Sequence, residues 1–210
     1  MTARIAVLAS GNGSNLQAIL NAVADATLAA EIVVVVTNVP GATALARAAR
    51  AGVPTIELSR WPGEDRSDYD TRLAEAVAVF EPDWVVLAGW MRVLTMAFLG
   101  RFPQQVVNLH PALPGELAGI RAIERAYDEF AAGRRTRTGV MVHLVPDEGV
   151  DDGPVLATAV VPIHADDELA SFEARMHATE HQLLVSALAA LCTHPAPSTH
   201  TRALTHGATA

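Results

Sequence analysis

One segment restricts the architecture more than any other: residues 31–37, EIVVVVT, where six β-branched side chains follow one another without a break. A strand with one wet face alternates apolar and polar residues; this one offers no polar side, so both faces need cover, as inside a parallel sheet. The flanking sequence supplies that cover. Residues 4–10 (RIAVLAS) read as a first strand, Gly11-Asn12-Gly13-Ser14-Asn15 as a turn, and Leu16, Ile19, Leu20 and Val23 fall at helical spacing. A helix over 41–51, a strand over 53–58, a helix over 67–80 and a strand over 84–88 repeat the alternation. The expected fold class is therefore α/β: a mainly parallel twisted sheet with helices on both faces. Right-handed crossovers place the strand C-termini on one edge, where ligands of such sheets bind.

The second half reads differently. A short strand over 105–109 and a helix over 119–132 precede two apolar strands, 139–145 and 155–163. The acidic turn 146–154 joins these two as an antiparallel pair. A long helix over 166–191 opens with Asp166 and Asp167 near its positive end. The Thr-, Pro- and His-rich stretch 193–210 is expected to be a mobile tail.

Composition removes several function classes. Cys192 is the single cysteine, which excludes an internal disulfide and a cysteine-ligated zinc cluster. All 15 basic residues are Arg, so neither a Walker lysine nor Schiff-base chemistry is available. The formal net charge of -8 disfavours nucleic acid as a partner. Arg134, Arg135 and Arg137 read as a solvated basic loop. No apolar run reaches membrane-spanning length, and the N-terminus enters a strand pattern at once, so a cytoplasmic location is expected, without membrane association. The histidines show no metal-binding spacing, and no metal is expected.

Two places carry chemistry. The glycine turn sits between strand and helix, where free N–H groups and the helix dipole hold an anion, with Ser14 and Asn15 adding side-chain bonds and a cap. A dinucleotide fingerprint needs a glycine at position 16, which is Leu16, and an acid where Thr37-Asn38 stands; a single phosphate fits better than NAD. At the other place, Asn108 and His110 lie on one side of a strand that Pro111 ends. An amide donor beside an imidazole suits acyl transfer. Asp151 or Asp152, from the acidic turn, would favour the charged imidazole and raise its pKa.

These segments together resemble glycinamide ribonucleotide formyltransferases over roughly residues 4–190. The resemblance rests on Ser10-Gly11-Asn12-Gly13-Ser14-Asn15-Leu16, Leu87-Ala88-Gly89-Trp90-Met91-Arg92-Val93-Leu94, Asn108-Leu109-His110-Pro111 and Asp151-Asp152-Gly153-Pro154-Val155. It implies a Rossmann-like formyltransferase domain over 1–192, with a phosphate-binding half (1–100) and a catalytic and folate half (101–192). It further implies formyl transfer from 10-formyltetrahydrofolate, a co-substrate, to the amine of phosphoribosylglycinamide in purine synthesis, by a monomer or homodimer. Gly13, Ser14 and Asn15 would hold the ribose phosphate and Glu180 the ribonucleotide; without the resemblance, Glu180 reads as a solvent-facing helix residue. Arg66, Met91, Arg92, Val93 and Leu94 would serve the folate, together with Asn108. Asn108, His110 and Asp151 would be catalytic. The chain departs from the family pattern after Pro111, with one Leu fewer and Arg121 where the family shows His. A formyltetrahydrofolate hydrolase and a non-catalytic ribonucleotide-binding paralogue are the alternatives.

Overall fold

The computed structural model describes residues 2–193. Seven strands form one sheet in the order β3-β2-β1-β4-β5-β6-β7. They are β1 (Ala3–Leu8), β2 (Ala30–Thr37), β3 (Thr55–Glu57), β4 (Trp84–Leu87), β5 (Val106–His110), β6 (Arg137–Leu144) and β7 (Val155–Pro162). The first five are parallel; β6 runs antiparallel to β5, and β7 antiparallel to β6. The helices are α1 (Ser14–Ala24), α2 (Thr43–Arg50), α3 (Arg66–Ala78), α4 (Met96–Leu99), α5 (Ala122–Ala131) and α6 (Leu169–Cys192).

The uninterrupted β2 run behaves as its composition requires, with Val33 to Val36 buried on both sides of the sheet. Odd-numbered β1 residues Ile5 and Val7 enter one core with α1, α2 and α6. Even-numbered Ala6 and Leu8 enter a second core with α3 and α4. Side chains alternating across each strand therefore build two apolar layers from one sheet. The strand order reverses between β1 and β4, so the crevice at their C-terminal ends is the natural ligand position.

Three local expectations are corrected. Helix α1 has Gly13 at its N-cap, in left-handed conformation (φ 76°), and no side chain caps it; the Asn15 Oδ1 atom is buried without a partner. Helix α6 begins at Leu169, because Asp167 is taken out of the helix by Arg175, the His164 N–H and Ser171. Arg135 is no solvated loop residue: it pairs with Glu116 and Glu129. The four-residue helix α4 had no periodicity long enough to announce it. Beyond Thr193, the stretch expected as a mobile tail lies outside the described residues. No helix among the described residues is long and apolar enough to cross a membrane.

Phe172 of α6 is fully buried and stacks with Tyr127 of α5 at a centroid distance of 6.1 Å. Phe172→Ala should lower unfolding free energy by about 3–5 kcal/mol, measured by denaturant titration.

Candidate active site

The strand termini at the crevice carry the polar groups. On β5, Asn108 and His110 share a face, and Asn108 stands directly opposite His143 of β6. The acidic turn between β6 and β7 brings Asp151 against all three. Asp151 Oδ2 lies 3.2 Å from His110 Nδ1 and accepts the Gly119 N–H at 2.8 Å. Its Oδ1 accepts from Asn108 Nδ2 at 3.1 Å and lies 3.6 Å from His143 Nε2. Asp151 holds a positive φ of 57°, which turns its carboxylate into the cluster. Asp152, the other candidate from the turn, makes none of these contacts.

His143 was read only as part of an apolar strand. Its signal was a lone polar residue within GVMVHLV, and the antiparallel pairing that sets it opposite Asn108 could not be read from spacing. Its Nδ1–H donates to the Leu144 carbonyl at 2.8 Å, and its Nε2 lies 3.1 Å from Asn108 Nδ2. The Asn108 amide nitrogen is thus held between His143 Nε2 and Asp151 Oδ1, both at 3.1 Å.

His110 is buried, and both its nitrogens face acceptors: Nδ1 faces Asp151, and Nε2 faces the Leu117 carbonyl at 3.2 Å. Arg125 also donates to that carbonyl and to Ala118 O. Only the imidazolium satisfies both acceptors. Burial nevertheless holds the His110 pKa below its usual value; Asp151 and the Leu117 carbonyl oppose this without reversing it. The carboxylate does favour the charged ring, as expected, but desolvation is the larger effect and the net shift is downward. Asp151 itself is pushed up by burial, but His143, the Gly119 N–H and the His110 charge outweigh that, and its pKa is lowered.

One cavity of about 200 Å³ joins this cluster to the loop after β4, and its lining includes Met91, Arg92, Val93 and Leu94. The N–H groups of Arg92, Val93 and Leu94 make no hydrogen bond among the described residues. Arg66 does not line the cavity; its guanidinium donates to Val93 O at 3.2 Å from the rim. Arg121 lines it as the left-handed N-cap of α5, with its side chain largely exposed.

The glycine turn borders this region without lining the cavity. Ser10 connects the two: its N–H donates to Gly89 O at 3.0 Å, and its hydroxyl accepts the Met91 N–H at 2.9 Å. Arg47 of α2 clamps the turn by donating to Asn12 O and Asn12 Oδ1, both at 2.8 Å. Gly13 packs on Ala44, where a Cβ would come within 2.9 Å of the Ala44 Cα. Glu180 is buried in α6, which corrects the solvent-facing reading, and its carboxylate meets His177 Nδ1 at 2.6 Å. It does not line the cavity. It stands on the helix that packs against α1, which starts at the glycine turn.

A seven-stranded sheet with this switch-point crevice and an Asn–His–Asp cluster belongs to a defined class, and residues 3–188 match the formyl transferase family: the chain is a member of it. Within that family, the phosphoribosylglycinamide formyltransferase of Schizosaccharomyces pombe is 41% identical over 200 residues, covering 90% of this chain and 96% of its own. That of Dictyostelium discoideum is 40% identical over 206 residues, 92% of this chain and all of its own. The crystal structure of glycinamide ribonucleotide transformylase 1 from Symbiobacterium toebii superposes with a TM-score of 0.85 at 33% identity, covering 91% of this chain and 88% of that one.

The depressed His110 value has a sign that stability can report. Between the folded value and the ordinary one near 6.5, the unfolded chain binds the extra proton, so this group's contribution to stability falls as pH drops through that interval. In NMR titration the His110 ring should show a midpoint below 6.5, and Asp151→Asn, which removes the opposing charge, should move it lower still.

Proposed function

We propose that this enzyme transfers the formyl group of 10-formyltetrahydrofolate to the amine of 5′-phosphoribosylglycinamide, a step of purine synthesis. It acts in the cytoplasm on small-molecule substrates, as a monomer or homodimer. The observation that carries the reading is the single Asp151 carboxylate bonded to Asn108 and facing His110, in one cavity with residues 92–94, whose N–H groups have no partner among the described residues.

The donor suits that loop. A flat ring system with alternating donors and acceptors would find three unpaired N–H groups there, with Met91 and Val93 exposed beside them as apolar contacts. Asn108 closes the cavity on the catalytic side and Arg66 bears on the loop from outside. The ribonucleotide phosphate would dock at the glycine turn, on N–H groups of Gly13, Ser14 and Asn15, aided by the α1 dipole. Glu180 would meet the ribonucleotide once released from His177.

In the reaction the free amine attacks the formyl carbon, and negative charge develops on the formyl oxygen. An N–H of the Asn108 amide and the His110 imidazolium stabilise that charge. Asp151 supports the imidazolium, because a developing anion beside His110 adds a second charge favouring its protonated form. Water ordered by Asp151 carries a proton from the attacking amine to N10 of the folate, the bond from the formyl carbon to N10 breaks, and the formylated amine and tetrahydrofolate result. Holding both substrates in one crevice contributes much of the rate, since effective molarities of oriented groups reach ~10⁵ M or more. No step calls for a metal.

Turnover should fall by on the order of 10² or more in His110→Ala and in Asn108→Ala, followed as formylfolate consumption; wild-type rates in both would overturn the roles. Consumption that does not depend on added ribonucleotide would instead identify a hydrolase. Gly13→Ala, strained by its positive φ and by Ala44, should raise KM for the ribonucleotide more than KM for formylfolate in the same assay.

A further inference from the structure

Helix α3 turns a single stripe to the core: Asp70, Leu73, Ala74 and Val77, at positions i, i+3, i+4 and i+7. The first of these is a carboxylate with 1% of its surface exposed. Burying a charge is unfavourable unless hydrogen bonds offset it, and an apolar residue would complete the stripe at lower cost. What Asp70 does instead is reach across to the loop after β4, where its Oδ2 accepts the Thr95 N–H at 2.6 Å.

That contact closes one end of the loop whose residues 91–94 line the cavity. The other end is closed by Ser10, through the Met91 N–H at 2.9 Å. Between the two attachments the N–H groups of Arg92, Val93 and Leu94 have no partner among the described residues, and the segment's own bond is the exposed one from Arg66 to Val93 O at 3.2 Å. The next amide, Met96 N–H, is taken at 3.0 Å by Glu148 of the acidic turn. Two carboxylates from different elements thus hold consecutive amides where the loop enters α4, and of the two only Asp70 is buried.

We infer that Asp70 is a positioning residue for formylfolate: by holding Thr95 it sets the angle at which the free backbone groups of residues 92–94 meet the ring of the donor. The inference rests on the proposed function. It assigns Asp70 no contact with either substrate, and it makes the effect of Asp70 selective for the donor, because the glycine turn is held separately by Arg47.

The test uses the full chain with three substitutions. Asp70→Leu completes the apolar stripe and removes the acceptor, Asp70→Ala removes the acceptor with less bulk, and Asp70→Asn keeps a side-chain carbonyl. Steady-state KM is measured for each substrate, and 10-formyltetrahydrofolate binding by quenching of intrinsic tryptophan fluorescence, with thermal unfolding as the check on folding. Asp70→Leu and Asp70→Ala should raise both KM and Kd for formylfolate on the order of ten-fold, the size of one lost hydrogen bond to a charged acceptor. KM for the ribonucleotide should stay within about two-fold, and Asp70→Asn should recover most of the loss. Should Asp70→Leu misfold, Asp70→Ala and Asp70→Asn carry the comparison. Unchanged formylfolate binding in the folded Leu or Ala variant overturns the inference, as does an equal loss for both substrates. A wild-type enzyme that neither binds nor consumes formylfolate refutes the donor assignment itself, and the inference with it.

Discussion

Asp151 is the point at which four separate stretches of chain are made to agree. Its carboxylate takes the Gly119 N–H from the loop after β5, meets His110 and Asn108 on β5, and lies beside His143 on β6. A carboxylate in that position cannot be left unpaired, since an isolated buried charge is far less stable than a hydrogen-bonded one. Each partner is therefore held to a distance and a direction: the imidazole presents Nδ1, the amide presents nitrogen rather than oxygen, and the loop presents an N–H. The positive φ at Asp151 is the local strain that this convergence tolerates.

From that constraint the chemistry follows in order. His143 is fixed by its bond to the Leu144 carbonyl and sets Nε2 against the same amide nitrogen of Asn108 that the carboxylate meets. That nitrogen is thereby held at the crevice, where an N–H can turn to a developing oxyanion. His110 stands under opposed effects, burial favouring the neutral ring and prevailing over two acceptors that favour the cation. A group held in this way changes its protonation when one more charge arrives beside it, which is the behaviour required of an acid that works only during the reaction.

The crevice is also joined laterally. Ser10 connects the glycine turn to the loop after β4, and Glu148 connects that loop to the acidic turn carrying Asp151. Three loops at the C-terminal edge of the sheet are thus tied by single hydrogen bonds from side chains to backbone amides. Such bonds are individually modest, about 0.5–1.5 kcal/mol, or somewhat more when the acceptor is charged. Their value lies in geometry, because two substrates must meet within reacting distance.

Local sequence by itself determined the layered α/β class and the strand–turn–helix around the glycines. An unbroken β-branched run and helical spacing are properties of neighbouring residues, and the steric rules they obey act within a few positions. It also placed Asn108 and His110 on one strand face, since alternation along a strand is local. The family motifs added Asp151 and residues 91–94. Tertiary structure alone decided what depends on residues distant in the chain: that His143 faces Asn108, that Glu180 is buried against His177, and that burial overrides the carboxylate at His110. Register across antiparallel strands and the desolvation of a ring are set by everything packed around them, and no spacing within a single segment encodes that.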